Sequence, residues 1–137
     1  MTIKTKTCPT LSDWHAFAAS HGAPLSFFAA PTGGGRTAAE QSVSVSVMTS
    51  GAQTVALAPV FLASFEVGLW VDPDWRRQGA GATLLRHAVS QASPKSALIA
   101  TVSTSNPSGP YMCRILHQCG FAPFAEAPDI RIWRKPA

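Results

Sequence analysis

Charge is scarce in this sequence. Only 13% of its 137 residues are Asp, Glu, Lys or Arg, while 46% are hydrophobic; an ordinary soluble domain carries about 25% charged residues. Intrinsic disorder needs the opposite balance and is excluded. Cysteine is scarce too. Cys8, Cys113 and Cys119 are an odd number without a CxxC pair, which excludes a disulfide framework, a thioredoxin-like motif and a zinc site, and no metal is expected. Three reduced thiols suit a cytoplasmic protein. Long apolar runs are missing: the stretch from Val55 to Phe65 is too short to span a bilayer and contains Pro59, so no membrane is expected. Lys4 and Lys6 are not followed by the apolar stretch of a secretory signal. Repeats, heptads, collagen triplets and linkers are absent as well. The length therefore reads as one domain over residues 1–137, large enough to hold a core without staples.

What charge there is leans basic, 11 Lys and Arg against 7 Asp and Glu, for a net +4. That favours an anionic partner such as a nucleotide, a phosphorylated cofactor or a nucleic acid. The basic residues are dispersed apart from Arg76 and Arg77, which disfavours nucleic acid.

Hydrophobic spacing supplies the elements. Leu11 to Gly22 reads as a helix with Ser12 as its cap, Leu11, Trp14, Phe17 and Ala18 on one face, and Gly22 at its stop. Leu25 to Ala30 reads as a strand or buried loop, and Pro31 to Gly35 as a flexible turn. From Ser42 to Met48 valines and serines alternate strictly, the mark of a half-buried strand. Thr54 to Phe61 and Phe65 to Val71 continue an antiparallel meander. Leu84, Leu85, Ala88, Val89 and Ala92 then follow at helical spacing until Pro94. Ala97 to Val102 reads as a strand parallel to the one before that helix. Tyr111 to Cys119 reads as a helix stopped by Gly120, and Phe121 to Ala125 with Ile130 to Trp133 as a hairpin. The sum is an α+β domain in three layers.

The informative stretch runs from Glu66 to Arg86. Gly79 and Gly81 open a helix there, so the backbone N–H groups of Gln78 through Ala82 can approach an anion closely, aided by the helix dipole and by Arg76 and Arg77. A dinucleotide cradle needs a third glycine where Leu84 stands, and a phosphate loop needs Gly-Lys-Ser/Thr, which is missing. Arg76-Arg77-Gln78-Gly79-Ala80-Gly81 fits the remaining pattern, the acyl-CoA loop: Arg or Gln, two residues, Gly, one residue, then Gly or Ala.

With Leu69-Trp70-Val71-Asp72-Pro73 before that loop and an amphipathic helix after it, the sequence resembles the GNAT superfamily of acyl-CoA N-acyltransferases. Glu66-Val67-Gly68-Leu69-Trp70-Val71 is similar to its ribosomal-protein-acetylating branch, where E-I-G-x-W is common. Leu116-His117-Gln118-Cys119-Gly120-Phe121 resembles the family's helix ending in Gly-Phe. The resemblance covers residues 65 to 125 well and 11 to 64 by element order.

The resemblance implies a GNAT-like fold with a mixed central sheet, an antiparallel meander, a βαβ cofactor unit and a C-terminal hairpin. It implies an N-acetyltransferase that takes acetyl-CoA as co-substrate and a primary amine as acceptor. Leu69 and Val71 would pair through their backbones with the pantetheine arm, beside Trp70. Arg76, Arg77, Gln78, Gly79, Ala80, Gly81 and Ala82 would hold the pyrophosphate, and Asn106 and Ser108 would add contacts. Glu66 would be the general base, and a backbone N–H near Val71 would face the oxyanion. The family's usual proton-donating Tyr is replaced by Leu116; Tyr111, Ser108 and Cys113 are the other donors at hand. That gap keeps a second reading open, a CoA-binding regulatory module with weak or lost catalysis. His87 and His117 read as ordinary surface or partly buried histidines. The acceptor, set in this family by the segment from Leu11 to Gly35, carries no recognisable motif, and a homodimer stays open.

Overall fold

The computed structural model describes residues 1–23, 42–92 and 97–137. The expected elements at Leu25 to Ala30 and Pro31 to Gly35, and the Pro94 helix stop, lie outside the described residues. The chain forms strands β1 (Thr2–Cys8), β2 (Val43–Ser50), β3 (Gln53–Phe61), β4 (Glu66–Val67), β5 (Trp70–Val71), β6 (Leu98–Ser103), β7 (Ala122–Ala127) and β8 (Ile130–Lys135). Its helices are α1 (Leu11–Ser20), α2 (Ala80–Gln91) and α3 (Gly109–Gln118). One mixed sheet has the order β1-β2-β3-β4-β6-β8-β7, with β5 also on β3. Neighbours are antiparallel except β4 and β6, which meet in parallel at Glu66 and Ile99. The expected α+β fold, with meander, βαβ unit and terminal hairpin, is the observed one.

The sheet is covered on both faces. Trp14 and Ala18 of α1 pack with Val43, Val45, Leu57, Phe61 and Trp70 on one side. Leu84, Leu85 and Ala88 of α2 and Ile115 and Leu116 of α3 pack with Val55, Val60, Leu69, Val71 and Ala100 on the other. This double cover corrects the half-buried reading of residues 42–48: Ser46 is as buried as the valines around it, because both faces of β2 look at a helical layer.

Two local corrections follow from backbone geometry. Thr10, not Ser12, caps α1: it is extended, and its hydroxyl accepts from the Asp13 amide while Ser12 lies within the first turn. Strand β1 escapes a hydrophobic reading because its Lys and Thr side chains are mostly exposed at the sheet edge, the composition that discourages a further strand from pairing there.

The expected strand from Phe65 to Val71 is divided between β4 and β5, although one register runs through both. Phe61 opposes Glu66, Val60 opposes Val67, Leu57 opposes Trp70 and Ala56 opposes Val71. The division falls where Gly68 faces Pro59. The Gly68 amide donates to the Pro59 carbonyl at 2.9 Å, but proline has no N–H to return the bond.

Candidate functional site

The site is built on the open side of β5. The Gly68 amide donates to Pro59 and the Asp72 amide to Val55, both across to β3. Alternation in an antiparallel ladder then turns the backbone groups of Leu69 and Val71 the other way. On that side β6 pairs with β4 only at Glu66 and Ile99 and does not continue beside β5. The sheet is therefore notched, with two backbone rungs facing the gap.

Glu66 stands at the closed end of this notch. It is 4% exposed, one of two buried polar residues among the described ones. Its side chain shares a face with that of Trp70 and with its cross-strand partner Phe61, the α1 side of the sheet. Leu69 and Val71 turn their side chains to the opposite face, against α2.

The basic loop stands at the other end. Asp72 starts a short 3-10 turn by accepting from the Asp74 amide. Arg76 turns back, and its Nε donates to the Val71 carbonyl at 2.9 Å. Arg77 has φ 64° and Gly79 has φ 84°, so two left-handed residues aim the chain into α2. The first i to i−4 bond of α2 runs from Thr83 to Gly79, leaving the amides of Ala80, Gly81 and Ala82 at the helix N-terminus ahead of the intrahelical ladder. Gln78 reaches back to the Asp74 carbonyl through its side-chain amide.

Gly81 has a packing reason to be glycine. A Cβ there would lie 3.1 Å from Ile115 Cδ1, 3.1 Å from Leu69 Cδ2 and 3.2 Å from Val71 Cγ2. At Gly79 a Cβ would meet nothing within 4 Å, and its left-handed φ is what favours glycine.

A cavity of about 600 Å³ lies between this loop and α3, lined by Arg77, Gly79, Ala82, Tyr111, Arg114 and Ile115 among others. Among the described residues its lining holds two guanidinium groups and no carboxylate, so an anion is favoured there. The Tyr111 hydroxyl accepts from the Arg77 amide at 3.1 Å. Sequence reasoning singled out Tyr111 as a donor but missed Arg114, Ile115 and Gln118 as lining residues; their spacing from Tyr111 along one helix stripe is the signal that finds them.

The structure thus brings together Leu69, Val71, Arg76, Arg77, Gln78, Gly79, Ala80, Gly81 and Ala82 around the notch and the loop. Trp70 faces away from α2 into the α1 layer. Asn106 and Ser108 sit at the start of α3 and are occupied with each other: the Asn106 Oδ1 accepts from the Ser108 amide at 2.9 Å. Leu116 is fully buried in the core and does not line the cavity. His117 is exposed, and half-buried His87 lies 3.4 Å from the Thr5 hydroxyl of β1. Burial pushes the Cys119 thiol above its ordinary range, with Arg86 opposing, and burial likewise raises that of Cys8. Among the described residues no helix is long and apolar enough to cross a membrane.

The fold has known counterparts. The acetyltransferase (GNAT) family model matches residues 54–121. Among solved structures, the ribosomal-protein-S18-alanine N-acetyltransferase of Escherichia coli is similar with a TM-score of 0.62 at 20% identity, covering 98% of this chain and 94% of that one. PseH N-acetyltransferase of Campylobacter jejuni, in complex with acetyl coenzyme A, gives 0.55 at 17% identity, over 69% of this chain and 67% of that one. Spermidine N-acetyltransferase SpeG of Vibrio cholerae, an F149A mutant, gives 0.57 at 15% identity over 69% of this chain. The match spans 65% of the spermidine enzyme, just under two thirds of its length. A comparison of sequence alone with curated proteins gives no match.

Proposed function

Because this chain belongs to the GNAT acetyltransferase family, we propose that it moves an acetyl group from acetyl-CoA to a primary amine by direct attack, in a single domain over residues 1–137. The observation that carries this reading is the notch: an open backbone edge on β5 with a buried carboxylate at one end and a basic, amide-rich loop at the other.

The residues divide the work. The outward Leu69 carbonyl and Val71 amide hold the pantetheine amides as an added strand would, the Val71 carbonyl being taken by the Arg76 Nε. The amides of Gln78 to Ala82, with Arg76 and Arg77, hold the pyrophosphate. Glu66, directly or through a water, takes a proton from the amine, whose nitrogen attacks the thioester carbonyl. The C–N bond forms, the C–S bond breaks, and CoA leaves as the thiolate. Of the backbone N–H groups near Val71, that of Leu69 suits the oxyanion best. Val71 lies five residues from Glu66, roughly 17 Å along the strand at ~3.3 Å per residue, too far for both to act on one carbonyl. The Leu69 amide faces the gap nearer to Glu66.

Labelled acetyl-CoA offered to a panel of amines tests the reaction. Glu66→Gln is expected to lower kcat by ~10²–10⁴-fold while CoA affinity is kept. The buried Leu116 favours one rival, a CoA-binding regulatory module, since that helix position supplies no proton to a leaving thiolate. Robust CoA binding without transfer to any amine is the result that replaces the enzyme reading with this one.

A further inference from the structure

Tyr111 is the single tyrosine of the chain, and the reaction above gives it no task. It stands in the first turn of α3, half-buried. Its hydroxyl oxygen accepts from the Arg77 amide across 34 positions of sequence. Arg77 has a left-handed backbone that residues with side chains seldom adopt, so one bond from another element fastens the turn that leads into Gly79. The oxygen is used as an acceptor, which leaves the hydroxyl proton to donate. Tyr111 also lines the cavity shared by Arg77, Gly79 and Arg114.

The geometry points to Tyr111 as a positioning residue for the phosphates of the co-substrate, resting on the acetyl-CoA reading above. It locks the Arg77 turn in the shape that presents the α2 amides, and it gives its own O–H to a phosphate oxygen. Its place excludes service at the sulfur. Arg76 is bonded to the Val71 carbonyl and Arg77 to Tyr111, so the hydroxyl belongs to the Val71 end of the notch. The thioester carbonyl must lie at the Glu66 end, where the base is.

Tyr111→Phe removes the hydroxyl and keeps the ring. Calorimetry with CoA and with pantetheine, which has no phosphate, separates the roles. The variant is expected to bind CoA about 10-fold more weakly or worse, as for a lost hydrogen bond to a charged group, and to bind pantetheine within twofold of wild type. The KM for acetyl-CoA rises by the same factor, and the cost does not fall on kcat. A fall in kcat at unchanged CoA affinity would overturn the assignment and place the hydroxyl at the leaving group. Equal weakening of CoA and pantetheine would overturn it in favour of a general packing role, and unchanged binding of both would overturn it outright. A wild-type protein that binds neither compound would reject the acetyl-CoA reading itself, and the assignment of Tyr111 with it.

Discussion

Gly81 offers the sharpest test of how α2 is seated. Gly81→Ala places a methyl group within 3.1–3.2 Å of three side-chain carbons, on Ile115, Leu69 and Val71. Ordinary carbon contacts lie at ~3.5–4.0 Å, so all three neighbours must yield by a few tenths of an ångström at once. Overpacking of this kind costs about 1–3 kcal/mol. Alanine recovers up to ~1 kcal/mol of helix propensity over glycine. The expected balance is a loss of roughly 1 kcal/mol, or about 3–5 °C in Tm for a domain of this size. A double-mutant cycle isolates the cause. Ile115→Val removes the Cδ1 atom and alone costs about 1 kcal/mol; in the Gly81→Ala background it should cost less by at least ~0.5 kcal/mol, because it opens the space the new methyl needs. Urea unfolding of the four proteins measures this directly. Additive effects, or a Gly81→Ala variant more stable than wild type, would refute the packing account and return Gly81 to a purely anion-facing role.

Other outcomes follow from the same contacts. Arg76→Ala removes both a loop charge and the bond to the Val71 carbonyl; CoA affinity by calorimetry should fall by ~1–3 kcal/mol. Leu116→Tyr must force a larger, polar ring into a fully buried position, so it should lower stability by about 1–3 kcal/mol and add no turnover in the acetyl-CoA assay. Burial raises the thiols of Cys8 and Cys119 above the reference value of 9.0. The unfolded chain therefore releases these protons first, and stability should be full below pH 9 and decline as pH rises through the folded values. Thermal melts from pH 7 to 10.5 check the sign, and Cys119→Ala should flatten the alkaline decline.

How much could be read beforehand depended on whether a signal was local. The Val43-Val45-Val47 alternation, the glycines around Ala80 and the helical spacing after Leu84 carry their own periods, and the elements formed there. Thr10 lost to Ser12 as the expected cap because two hydroxyl residues flank Leu11, and only backbone dihedrals decide which is the half-in residue. The polar strand β1 has no apolar alternation, and its existence depends on β2 offering an edge. Pro59 was visible, but its effect on Gly68 appears only once the register pairs them. Tyr111 was the plainest case: helical angles set it apart from the Leu116 position, while its partner lies in a loop brought near by the βαβ crossover. For the site, the loop was legible as a motif; what each residue touches was not.

In the proposed function, the notch on β5 also acts as a ruler. Its two outward rungs, at Leu69 and Val71, are two residues apart and so recur at about 6.6–6.8 Å. Recognition by main chain measures the spacing of amides in whatever lies against it and is blind to their substituents. Exchanging the side chains of residues 69 and 71 leaves that measure intact as long as the strand keeps its register. An arm one methylene longer or shorter between amides carries its second amide out of hydrogen-bond alignment with the rung, while a change of acyl group beyond the last amide goes unread. On the proposed reading, discrimination among acyl groups falls to side chains around Glu66, not to the edge that holds the arm.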